Sequence, residues 1–296
     1  MSSGRWTIGD RRTLEASPAG ETLAPDKLEG VRARGELRLT FAATDGRTRM
    51  VEAYQSGCLR ARVPYAEAGE PLNAILINTG GGVTGGDRLV QSVAWRQGAH
   101  AVVASQAAEK VYRSVCGDVE IDTRLAVEAG AVAEWLPQET ILFDRARLSR
   151  RIDIDLAQGA SFLGVEAVIL GRAAMGETVR EGFLRDAWRI RREGRLVYAD
   201  AQSLCGRIDQ MMDRAAIGSG ARAMAVAVFA HRDAALMLPA VREALTMAQG
   251  RGGASAWNGL LVARLLAGDG QTMRRNLVAV LSALRGGRAL PRVWTC

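Results

Sequence analysis

Three carboxylates stand out in a chain with almost no histidine: Asp87, Glu139 and Glu177. Each follows a turn rich in Gly, Gln or Pro. The only histidines are His100 and His231, and the cysteines, Cys58, Cys116, Cys205 and Cys296, lie far apart. With no Cys-x-x-Cys pair, a zinc site of ordinary spacing is excluded, and a hydrolase built on a histidine base has few candidates. Oxygen ligands alone suit weak, exchangeable contact with a metal ion better than tight storage. Taken singly, each carboxylate reads more readily as a structural ion-pair partner than as a ligand.

The stretch before Asp87, "NTGGGVTGG", raises a second possibility. Gly80, Gly82 and Gly85 satisfy G-x-G-x-x-G, the formal dinucleotide fingerprint, so a nucleotide- or phosphate-binding enzyme using Gly80–Gly86 is one reading. Its context is poor. A helix should open at the last glycine, yet Leu89, Val93 and Trp95 alternate as in a strand. Asp87 would also set a negative charge beside the pyrophosphate. The Walker pattern fails outright, because Asp87 and Arg88 replace the required Lys and Ser/Thr. The competing reading is a tight bend whose glycines let backbone crowd close to Asp87.

Other dense stretches surround these residues. "SQAAEKVYRS" sets Glu109, the rare lysine Lys110, Tyr112 and Arg113 together, and reads as a half-buried strand or loop whose basic residues pair with carboxylates. "EWLPQETILF" holds Gln138 and Glu139 between apolar runs, where they need partners if buried. "ILGRAAMGE" ends in Glu177, and "LPRVWTC" places a large aromatic, Trp294, where it must pack or bind.

The elements that must position these groups are mostly strands. "ELRLTFA", "NAILINT", "VEIDTRLAVE" and "RIDIDLA" show period-two patterning bounded by Gly, Asp and Pro turns. "WRIRREGRLVYAD" predicts a hairpin turning at Glu193-Gly194. From about 233 to 285 the spacing predicts helices, over "RDAALMLPAVREALTMAQG", "AWNGLLVARLLAGDG" and "TMRRNLVAVLSALRGG". The expectation is a mainly β body over about 31–232, a small helical part over about 233–285, and a flexible tail over 1–30. No repeat is clear enough to establish a solenoid from periodicity alone.

Composition bounds the rest. The chain has 296 residues, 48% of them hydrophobic, and a net charge of +7 carried almost wholly by arginine. The arginines are spread out and aromatics make up only 5%, which argues against nucleic acid as a partner. No window approaches a membrane span and no secretory leader is evident, so no membrane partner and a cytoplasmic location are expected. Cys58 and Cys205 read as small buried hydrophobes.

Five stretches, "NTGGGVTGGDRL", "AAEKVYRS", "EWLPQETILF", "GRAAMGE" and "LPRVW", occur in this order from about residue 34 onward. As a set the chain closely resembles the urease accessory protein D family, called UreD or UreH. The resemblance implies a stacked-strand, β-helix or solenoid-like body with a small helical part. It implies a non-enzymatic maturation chaperone that binds urease apoprotein and a UreF-type accessory protein, which recruits a UreG-type GTPase. Nickel would be delivered to the dinickel site of urease along a carboxylate-lined internal path, with no tightly bound cofactor and only transient Ni²⁺. The GTPase would supply nucleotide hydrolysis. The matching path positions are Asp87, Arg88, Glu109, Glu139 and Glu177, with Arg88, Glu109, Lys110, Tyr112 and Arg113 as path or structural support. Glutamate at 109 departs from relatives that carry a small polar residue there. The remaining alternative is a passive scaffold without nickel contact, in which these residues only hold strands together. The helical end either packs on the β body or offers an exposed apolar face to the UreF-type protein.

Overall fold

Alternating apolar and polar residues run through most of the chain, and the structure winds them into coils. The computed structural model describes residues 32–65, 69–172 and 176–295. Residues Arg32–Cys296 form one unit, distinct from Met1–Val31, so the expected tail over 1–30 lies outside the described residues. Four coils follow one another. The first joins β4 (Leu72–Asn78) to β5 (Arg88–Trp95), after β1 (Arg34–Thr44), β2 (Arg47–Gly57) and β3 (Leu59–Arg62). The second runs β6 (His100–Ser105), β7 (Glu109–Val111), β8 (Val119–Val127). The third runs β9 (Val132–Leu136), β10 (Thr140–Leu142), β11 (Arg147–Leu156). The fourth joins β12 (Ser161–Leu170) to β13 (Glu181–Arg192). The mainly β, solenoid-like body is therefore present, with about four turns.

Two sheets form the long walls. β5, β8, β11 and β13 stack in parallel in the first sheet; β4, β6, β9 and β12 do so in the second. Val83, β7 and β10 make a short third wall, with Val83 bridging Val111 and Thr140 facing Glu109. Antiparallel pairs close the ends: β1 with β2, β13 with β14 (Arg195–Arg207), and β15 (Ala223–Ala230) on β12. The β13–β14 hairpin turns at Glu193 and Gly194, both at positive φ, as the sequence predicts. Inward residues such as Leu37, Phe41, Leu125, Ile154 and Phe162 are fully buried between the sheets. Each side chain of this kind stabilises by roughly 1.5–3 kcal/mol.

A helical layer covers the outside of the second sheet. α2 (Leu238–Thr246) starts with Pro239 in its first turn and α3 (Gly270–Leu284) carries the main apolar face, whereas the short α1 (Ile208–Asp213) lies apart from them against β13 and β14. The Asp269 carboxylate accepts from Thr272 N at 2.8 Å, capping α3. Met273, Leu277, Val280 and Leu281 pack on Val102, Leu136, Leu163 and Leu261, so this face is covered by the β body.

Two expectations are corrected. The helical spacing over Ala256–Gly270 is overturned: β16 (Arg251–Trp257) and β17 (Leu260–Ala267) form an antiparallel hairpin. Both faces of β17 are apolar because one meets the coil interior and the other meets α3, and such a run mimics a buried helix. Cys205 is exposed on β14, not buried; Cys58 is half-buried. No helix among the described residues is long and apolar enough to cross a membrane.

Candidate functional site

The glycine run connects β4 to β5, and β5 begins at Arg88 with no helix after Gly86. The loop is pressed against its neighbours. A Cβ on Gly82 would strike the Tyr112 ring and come within 2.8 Å of the Lys110 carbonyl. One on Gly85 would meet the Ser114 hydroxyl and lie 2.5 Å from the Cys116 carbonyl. Gly82 also has φ of 144°, which L side chains rarely adopt. The glycines thus serve the close approach of backbones, the bend reading.

Asp87 ties this loop down. Its Oδ1 accepts from Ala33 N at 2.8 Å and its Oδ2 from Thr84 N at 2.7 Å. The carboxylate is buried and joins the loop to the start of β1. Glu139 is also buried and meets Arg274 of α3 at 3.2 Å. Arg274 further bonds Gln138 Oε1 and donates to the Val293 carbonyl at 2.7 Å, while lying over the Trp294 ring. Trp294 itself is buried and donates from Nε1 to the Leu136 carbonyl at 2.9 Å. Glu177 accepts from Arg172 Nε at 2.9 Å and faces Asp144 N at 3.3 Å. These three carboxylates are not brought into one cluster. Among the described residues no group of three or more His, Cys, Asp or Glu side chains is arranged to hold an ion.

Glu109 stands differently. Asn78 Nδ2 lies 3.1 and 3.2 Å from its two oxygens, and burial pushes its carboxyl above the ordinary range against that bond. Lys110 is exposed beside it. Tyr112 donates to the Gly81 carbonyl at 3.2 Å and packs edge-on against Phe143. The Arg113 carbonyl accepts from Thr84 Oγ1 at 2.9 Å, and Arg88 sits on the outer face near Asp122 at 3.4 Å.

Glu109 and Lys110 line a cavity of about 180 Å³ inside the coils. Asn78, Gln138 and Thr140 also line it, and its inner end reaches Arg150 and Glu166. Asp87, Glu139 and Glu177 do not border it, nor do Arg88, Tyr112 and Arg113. Parallel register explains the inner end. Leu89, Ile121, Arg150 and Asp186 occupy one inward ladder, so two charged residues replace leucine and isoleucine in the last coils. Arg150 Nε and Nη2 reach Asp186 at 3.1 and 2.5 Å, Nη1 reaches Thr140 Oγ1 at 3.0 Å, and Nη1 also pairs with Glu166. Trp135 Nε1 donates to Glu166 at 3.2 Å.

One guanidinium cannot neutralise two carboxylates. Asp186 takes Arg150 bidentately, the stronger geometry. Burial pushes the Glu166 carboxyl up to about 7; the Arg150 charge opposes this and the Asp186 charge adds to it. Arg150 is shifted further toward its charged form: burial opposes that, and the two carboxylates outweigh it. Burial and the neighbouring Asp186 charge thus favour the neutral form of Glu166, while the two carboxylates keep Arg150 charged.

A second buried charge escaped sequence reasoning. Glu134, on β9, is held by Arg285 Nε at 2.6 Å, Arg288 at 3.2 Å and His100 Nε2 at 3.2 Å. Burial raises its carboxyl, but the His100 hydrogen bond and the arginines outweigh that and hold it below the ordinary range. The signal available for Glu134 and Glu166 was a lone acid within an otherwise apolar strand. A larger pocket of about 650 Å³ lies against Arg285, Arg288 and Arg292. Three arginines against the single acid Glu70 make it a poor place for a cation.

Comparison with known proteins follows the same lines. Residues 33–295 match the family model described as UreD urease accessory protein. The chain is 46% identical over 283 residues to a urease accessory protein UreD of Xanthobacter autotrophicus, covering 94% of this chain and 96% of that relative. It is 47% identical over 263 residues to the protein of that name from Rhizobium etli, covering 89% and 95%. With the one from Rhizobium rhizogenes it shares 45% over 274 residues, covering 92% and 99%.

Proposed function

Because the chain belongs to the UreD urease accessory protein family, we propose that it is a non-enzymatic maturation chaperone that guides nickel to urease through the cavity inside its coils. In this reading it works in the cytoplasm, bound to urease apoprotein and to a UreF-type protein that brings a UreG-type GTPase. The observation that carries it is the placement of Glu109 and Glu166 along one interior cavity. An apolar solenoid core has no structural need for such a lining, and buried polar groups are costly unless used or paired. A passage must bind weakly at several points so that the ion moves on, which suits carboxylates, amides and hydroxyls. Ni²⁺ is cargo here, with no tight resident site.

The carboxylates divide by what already satisfies them. Glu109 and Glu166 line the path proper. Asp87, Glu139 and Glu177 hold loop, helix and turn, and serve the ion only by exchanging those partners. The passive-scaffold reading is therefore strongest for these three.

The test is the nickel content of urease matured with Glu166→Gln, with co-purification of the complete assembly as the control. The passage reading expects intact assembly and nickel content lowered by roughly tenfold, the effect of about 1.4 kcal/mol on one step. Normal nickel content in the intact assembly sinks it.

A further inference from the structure

The inner end of the cavity is closed by a positive charge. Arg150 and Glu166 both line the cavity, whereas Asp186 lies behind them. An ion arriving from the Glu109 side finds the one inner carboxylate already occupied by a guanidinium. A fixed cation in a narrow passage excludes other cations, as arginine does in pores that reject them. The same guanidinium is anchored elsewhere: Asp186 holds it through two nitrogens and Thr140 Oγ1 accepts from a third.

We propose that Arg150 is a movable barrier in the passage, and that a divalent cation reaches Glu166 only when the guanidinium releases Glu166 and stays on Asp186. This rests on the passage reading above. The arrangement makes release inexpensive. Removing a lone partner from a buried arginine would strand its charge. Here Asp186 keeps Arg150 neutralised when Glu166 is given up, and the Glu166 carboxylate is then free for the incoming ion. Asp186 acts as the parking place, and its role is positional: it touches the barrier and not the cargo.

The two partners predict opposite outcomes. Arg150→Gln removes the barrier, while Asp186→Asn leaves Arg150 with Glu166 as its only carboxylate and shuts it. Equilibrium dialysis of the full chain against Ni²⁺ reads the first. R150Q should gain an ion bound about tenfold more tightly than any Glu166-dependent binding in the parent chain, and R150Q/E166Q should lose that gain. Binding in R150Q equal to that of the parent overturns the barrier. Nickel content of urease matured with D186N reads the second and does not depend on R150Q folding. It should fall by about tenfold with the assembly intact. Normal content with D186N, alongside lowered content with E166Q, overturns the barrier and keeps the passage. Normal content with E166Q overturns the passage itself.

Discussion

At the scale of single residues, the charges that matter most are those with no water to fall back on. Glu134 is buried against three basic partners, and Arg285 is buried with it. Removing one partner of such a pair strands the other, at a cost of about 3–5 kcal/mol. Glu134→Ala should therefore lower stability by that amount, read from denaturant unfolding at neutral pH. The same residue sets a pH dependence. Its folded pKa lies below the unfolded value near 4.5, so its contribution is complete above that value. The contribution fades as pH falls through the lower folded value. Unfolding at pH 7 and at pH 3 should show a loss for the parent chain that is smaller in E134A. An equal loss in both would remove Glu134 from the account. Little of this was legible beforehand. Asp87 was marked by its glycines, but Glu134 and Glu166 look like isolated acids in apolar strands until parallel stacking supplies their partners.

Elements were easier to read where one face meets water. β8 and β11 alternate cleanly, and the β13–β14 turn announced itself through Glu193-Gly194. β17 misled because both its faces are covered. The glycine loop was legible in kind: a bend was expected, and Gly82 and Gly85 show why no side chain fits. Their neighbour Gly81 provides a control: it shares the positive φ of Gly82, but nothing lies within 4 Å of an added Cβ. Gly81→Ala should cost about 1–2 kcal/mol from backbone strain alone. Gly85→Ala forces apart backbone at Cys116 and Gly117, and overpacking of that kind costs about 1–3 kcal/mol, at times more. Thermal melts should rank parent, G81A, then G85A. A G85A melt at the parent temperature would show that the loop has slack.

For the whole molecule, the coil was not legible from repeats. Leu89, Ile121, Arg150 and Asp186 share a ladder, yet their spacings in sequence differ at every step and their chemistry changes from apolar to charged. Loops of unequal length erase the period that stacking creates. Only the resemblance to a family suggested the architecture in advance. The helical layer has a separate consequence. Its arginines cross back to residues far earlier in the chain: Arg285 to Glu134, and Arg274 to Gln138 and Glu139. β15 pairs with β12 over eight residues in the same part of the molecule. Between these halves the chain turns once at exposed Ser219 and Gly220. Two separate polypeptides divided there carry complementary surfaces that the covalent link does not create. Co-expressed as halves, they should find one another and co-elute as a single folded particle. Independent elution would mean that the peptide bond between them, and not the fit of one half to the other, holds the protein together.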